Sequence, residues 1–229
     1  MTESTPAVPP LAPPPRAERI AAWVGAVFLA GTYLAGVAFL QGSDAALQAA
    51  TFLGLSAAGA GKLVIFAALH PGCDLSAWAL ATGASVAEIG LSAVLVTHLD
   101  LLRRVPRLGP RLDAVRARGA AFLARHRGVR KLAGIGVGLY TALPFSGTGP
   151  LGSSFFGLMA GLTRRATWLG IASGSLASSA VMAWGAEALR DRLETLLRHP
   201  ALTVAGVALT LGLLSWIGRE MFRGIPNGE

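Results

Sequence analysis

The chain of 229 residues has one cysteine, Cys73, and no Cys/His cluster at metal-ligand spacing. An internal disulfide is excluded, and no metal or cofactor is expected. Charge is scarce as well: 14% of the residues are Asp, Glu, Lys or Arg, against 53% hydrophobic. With a mean hydropathy of +0.56, the apolar content exceeds what a soluble domain of this length can bury. The sequence also lacks G-x-S-x-G, an Asp–His pair beside a serine, and a phosphate loop ending in Gly-Lys-Ser/Thr. No enzymatic constellation is legible, so the expectation is a protein that is not an enzyme.

What is present is long apolar runs. Stretches of about 20 residues, the length a ~30 Å hydrocarbon core requires, fall at 20–40, 76–99, 166–186 and 201–218. Two more, 47–69 and 132–162, are either too interrupted or too long for one simple span. Residues 1–19 are proline-rich and poor in large apolar side chains, which predicts a disordered tail, and residues 20–223 form one polytopic membrane domain. A cleaved signal is not expected, because the apolar run after Arg16 and Arg19 is of spanning length.

Charge orients the spans. Between Leu99 and Lys131 lie ten of the twenty basic residues against two acids, Asp100 and Asp113, which marks residues 99–131 as cytoplasmic. Within it, residues 115–129 read as an amphipathic basic helix, with Val115, Phe122 and Leu123 dipping into headgroups and Arg116, Arg118, Arg125 and Arg127 holding anionic lipid. Nucleic-acid binding would account for the same charge, but no binding motif accompanies it, so none is expected.

The segment "ALPFSGTGPLGSSFFGLMAGL", residues 142–162, carries two prolines and five glycines in apolar surroundings. Pro144 removes a backbone donor, and Gly147, Gly149 and Gly152 permit sharp turns. Broken backbone at membrane depth persists only where protein or a wet cavity satisfies it, so the break is expected to line a site. A re-entrant hairpin over 132–162 keeps the Arg164/Arg165 turn on the cytoplasmic side; a full crossing, the alternative, puts it outside. In the first half, residues 47–72 allow the same plan upside down, with a small-residue break at 56–61; an ordinary span is the alternative there. Hairpin plus span, twice, entering from opposite sides, is an inverted repeat of the kind secondary transporters use, with the site near the midplane. The expected fold is thus all-α and integral to the membrane, with about four transmembrane helices plus two opposed re-entrant hairpins.

The run "ALPFSGTGPLGSSFFGLMAGLTRRATWLGIASGS" resembles the P-x-x-G-T-G segment and following helix of the bacterial small multidrug export protein family, which is distantly similar to the DedA/VTT membrane proteins. The resemblance covers residues 61–189, with its specific part in the second half. It implies paired re-entrant hairpins, with Pro144, Gly147, Thr148 and Gly149 at a hairpin tip, and transport or flipping of a substrate such as a lipid phosphate. It also implies a bacterial inner membrane. The first half departs from the pattern: "AGKLVIFAALHP" has Lys62 where such families show an acid and an arginine before a proline.

Ionisable residues inside a membrane are functional candidates. Lys62 falls at the first break, where it can meet an anion or else snorkel to the outer interface. Glu88 sits mid-span, too deep to snorkel, and must face a partner such as Lys62 or a wet cavity. The expected substrate-binding set is Lys62, Glu88, Pro144, Ser146, Gly147, Thr148, Gly149, Ser153 and Ser154, with free N–H groups from about Pro150 suited to an anionic head. Asp74, Glu187, His70 and His98 read as interfacial, and the serine-rich run 173–185 as a tight helix contact. Membrane lipids and a small-molecule or lipid-phosphate substrate are the expected partners, a homodimer would enlarge the cavity, and both termini are expected in the cytoplasm. The competing reading is a membrane-organising protein that recruits lipid or protein through its basic segment.

Overall fold

A computed structural model describes residues 13–99, 109–125, 127–143 and 149–197. The elements are α1 (Arg16–Gln41), α2 (Ser43–Leu55), a π turn (Ser56–Ala60), a 3-10 segment (Gly61–Leu69), α3 (Ala77–His98), α4 (Gly109–Arg125), α5 (Arg127–Ala142), α6 (Pro150–Met159) and α7 (Arg164–Leu197). The chain divides into two units after Ala186. The packing described below belongs to the first. The second is described only as far as residue 197, within α7, so the apolar run 201–218 lies outside the described residues.

Among the described residues, four helical segments are long and apolar enough to cross a membrane: Arg16–Gln41, Ser43–Leu69, Ala77–His98 and Arg164–Arg190. The protein is an all-α, multi-pass membrane bundle. Its outer surface is accordingly apolar, as along α1, where Trp23, Val27, Phe28 and Phe39 are exposed.

Helix α3 is the axis of the first unit. The hydroxyl of Ser76 caps its start by accepting from Ala79 N at 3.1 Å. Small residues on two faces then admit neighbours. Helix α1 runs antiparallel to it: Trp23 meets His98 edge-on at 6.2 Å, and Tyr33 donates to Ala79 O at 3.0 Å. At Gly90, a Cβ would come within 3.2 Å of Ala26. Helix α7 is antiparallel as well, since Trp168 donates to Ile89 O at 3.2 Å while Ala183 and Ala186 cluster with Ala77, Ala81 and Ala84.

The segment after α2 does not continue as a helix. Gly59 (φ 128) and Gly61 (φ 55) adopt backbone that other residues rarely reach. Beyond them the chain winds as a nine-residue 3-10 run, longer than the three or four residues usual for that form. Gln48 donates to Asp74 Oδ2 at 3.0 Å and accepts from Asp74 N at 3.1 Å. Twenty-six residues of straight helix would separate that pair by ~39 Å.

Helices α5 and α6 lie side by side: Tyr140 stacks on Phe156 at 5.3 Å. Helix α6 starts on Pro150 after a Gly149 cap, and it ends at Gly161 (φ 87), where Leu162 N bonds Gly157 O and Gly161 N bonds Leu158 O. Helix α5 crosses α7 through facing glycines. A Cβ on Gly170 would stand 2.8 Å from Gly134 O, one on Gly138 would stand 3.1 Å from Gly170 O, and one on Gly174 would collide with Gly138 O. This is a GxxxG-type contact from both helices. The expected tight contact of the serine-rich run therefore begins earlier, at Gly170.

Two boundaries differ from the sequence reading. The basic segment 99–131 is helical where described, and α4 spans Gly109–Arg125 rather than 115–129. Helix α5 starts at Arg127, five residues before the apolar arm, because arginine and lysine are good helix formers and extend the helix beyond its apolar part.

Candidate functional site

The buried polar residues gather at mid-depth. Helix α3 has 22 residues, so it is ~33 Å long, and Glu88, its twelfth residue, lies ~16 Å from either end. Glu88 and Lys62 are 2% and 4% exposed, and Lys62 Nζ donates to Glu88 Oε2 at 2.6 Å. The 3-10 segment positions the lysine: immediately after the Gly59/Gly61 break, Lys62 faces α3 along with its buried neighbours Val64 and Ile65. The snorkelling alternative for Lys62 is therefore overturned. The break sets the ammonium beside Glu88, and the low-dielectric surroundings favour pairing over exposure.

The second half of the chain closes the pair. Lys62 Nζ also donates to Thr141 O at 2.9 Å. The Thr141 hydroxyl lies 2.8 Å from both Val137 O and the Ser153 hydroxyl. One continuous polar string thus runs from α3 through the 3-10 segment to the end of α5 and on to α6. Ser153 and Ser154 are both fully buried on α6, and Ser154 Oγ has no hydrogen-bond partner. Gly149 caps α6 next to them. Pro144, Ser146, Gly147 and Thr148 lie outside the described residues.

Many hydroxyls in the bundle satisfy themselves on their own helix, as Ser92 does on Ile89 O and Ser178 on Gly174 O. Ser56, Thr167, Ser175 and Ser179 instead carry buried, unpartnered oxygens, like Ser154. Burying a hydroxyl unpaired is costly, so these positions are suited to water or to a polar ligand.

Cavities open at the two ends. One of about 340 Å³ is lined by Glu18, Ala22, Val96, Thr97, Arg164, Arg165 and Trp168. The starts of α1 and α7 and the end of α3 therefore share one end of the bundle. At this end too, α4 packs on the end of α6, where a Cβ on Gly119 would stand 2.6 Å from Met159 O. The other cavity, about 520 Å³, is lined by Gln48, Thr51, Phe52, Ala67, His70, Gly72 and Cys73, beside the Asp74 contact. Cys73 packs half-buried there. Asp74 and His70 are exposed, His98 is half-buried against Trp23, and Glu187 is exposed.

Of the lipid-binding arginines, Arg118 and Arg125 are exposed on α4 and Arg116 is half-buried, while the side chain of Arg127 is outside the described set. Among the described residues, no group of three His, Cys, Asp or Glu converges as a metal site. The residue that sequence reasoning missed is Thr141. Its signal was faint, a lone hydroxyl one residue before the end of an apolar arm, and its main contribution is a backbone carbonyl that any residue would carry.

These features define a multi-pass α-helical membrane protein with a buried polar centre. No protein-family model, curated protein or solved structure matches the chain.

Proposed function

We propose that this chain is a small membrane transporter or lipid-phosphate flippase, built from two opposed re-entrant hairpins, each followed by a spanning helix. The observation that carries the reading is the mid-depth Lys62–Glu88 pair, bridged to the other half of the chain by Thr141. Charges at that depth are expensive and occur where a bundle serves ions or substrates. Supporting it, the two interrupted segments reach this centre from opposite ends. Gln48 and Asp74 mark the end from which the first departs, and the 340 Å³ cavity with Arg164 and Arg165 marks the end to which the second returns. Arg164 and Arg165 sit with the start of α1 and the end of α3, as a hairpin over 132–162 requires. This reading follows the plan of inverted-repeat transporters, in which broken helices meet at the midplane.

In this reading the substrate has a polar or anionic head, bound by the hydroxyls of Ser153 and Ser154 and the tip residues Pro144–Gly149, beside the neutral Lys62–Glu88 pair. The resemblance of residues 142–175 to small multidrug export and DedA-like proteins points the same way, and a bacterial inner membrane with a cytoplasmic N-terminus belongs to the same proposal. The exposed Arg118 and Arg125 favour a second reading, a membrane-organising protein that works by gathering anionic lipid.

The test is the side from which single cysteines are labelled in intact cells, in a Cys73→Ser background. A cysteine at Ser43 should react from outside and one at Thr163 from the cytoplasm. Labelling of Thr163 from outside would mean a full crossing and sink the transporter reading. In liposomes, the protein should then flip a fluorescent phosphatidylglycerol, and Glu88→Gln should insert but fail to flip it.

A further inference from the structure

The surroundings of Lys62 Nζ resemble an ion site more than a surface salt bridge. Its partners are oxygens: Glu88 Oε2 at 2.6 Å and Thr141 O at 2.9 Å, with both charged side chains almost fully enclosed. Thr141 is the penultimate residue of α5, so its carbonyl is among the last four, which a helix leaves without an intrahelical donor. Those carbonyls carry the negative end of the helix dipole. A carboxylate plus a helix-end carbonyl beside interrupted backbone is the donor set with which broken membrane helices hold a sodium ion or a proton. Here the position is filled by an ammonium group that the chain itself supplies.

Charge balance points the same way. Trp168 of α7 bonds Ile89 O, one residue from Glu88, and α7 has no Asp or Glu between Arg165 and Glu187, so the α7 side brings no second carboxylate. The other charged groups on α1, on α2 and on residues 164–186 of α7 stand in the first turns of those helices: Arg16, Glu18 and Arg19 on α1, Asp44 on α2, Arg164 and Arg165 on α7. One buried carboxylate therefore needs one cation, and Lys62 is it.

We infer that Glu88 Oε2 and Thr141 O form a monovalent-cation site whose resident cation is covalently tethered, as the ammonium of Lys62. This rests on the transport reading only for its consequence: neutralising Glu88 requires no exchangeable sodium ion or proton, so the working cycle is not driven by either gradient. Removing the ammonium exposes the latent site to free cations.

The experiment is thermal unfolding of the purified full-length protein in detergent, at one fixed pH. Wild type is compared with Lys62→Met, which keeps a long apolar side chain but loses the ammonium. Sodium and methylammonium are the probes, and choline is the bulky control. Lys62→Met should lose about 10 °C. Sodium or methylammonium should restore at least half of that loss, rising with the logarithm of concentration, while choline restores none. The wild-type midpoint should not move, and Lys62→Met/Glu88→Leu should not respond. If Lys62→Met yields no folded protein, Lys62→Ala, which vacates the space in front of both oxygens, is read in the same way. Equal effects of sodium and choline, a response that survives in the double variant, or no response at all overturns the inference. Because stability is the readout, that failure leaves the transport reading standing, and outward labelling of Thr163 leaves the cation site standing.

Discussion

Replacing Glu88 with glutamine removes one charge and almost no volume, so it isolates the electrostatic part of the central pair. At 2.6 Å and an effective dielectric of ~20, the attraction between Lys62 and Glu88 is roughly 6 kcal/mol before desolvation is counted. Glu88→Gln leaves the ammonium buried with Thr141 O as its remaining strong acceptor, and breaking one side of a buried pair costs about 3–5 kcal/mol. For a chain of this length that is a fall of about 6–20 °C in the unfolding midpoint, measurable in detergent by intrinsic tryptophan fluorescence. The double variant Lys62→Met/Glu88→Leu removes both charges and should regain most of the loss, because apolar residues of similar volume avoid the desolvation cost altogether. The cycle thus predicts strong positive coupling. A Glu88→Gln midpoint within about 2 °C of wild type, or a double variant as damaged as the two single changes added together, would refute the reasoning and mean that the two groups are solvated apart.

Two further outcomes follow from the packing and the surface. Gly174→Val should push α5 from α7 and cost about 1–3 kcal/mol in thermal unfolding, because its Cβ collides with the Gly138 backbone, whereas Gly185→Val, with open space around its Cβ, should be neutral. Neutralising Arg118 and Arg125 to glutamine should weaken retention of anionic phospholipid by roughly 30-fold in native mass spectrometry, at about 1 kcal/mol per arginine, with little change in stability. An unchanged lipid count would remove the basis of the membrane-organising reading.

The alternation of apolar runs and breakers in the sequence already determines much of this protein. A bilayer permits only internally bonded backbone, so hydropathy and length locate α1, α3 and α7 to within a few residues, apart from the polar extension at the end of α7. Composition likewise locates the interruptions, since only glycine takes the backbone found at Gly59 and Gly61 without strain. The depth of Glu88 requires a partner, and Lys62 could be named as one because it follows a break. Other choices belong to the tertiary structure alone. A lysine stem can reach an interface as readily as a buried acid, and what decides between them is how deep the break sits, which depends on α2 and the 3-10 segment closing at Gln48 and Asp74. Thr141 enters through a carbonyl oxygen that every residue possesses, so no side-chain pattern announces it. The glycines of α5 and α7 are visible as small residues, but which helix each one meets follows from crossing geometry, settled only when the backbones touch.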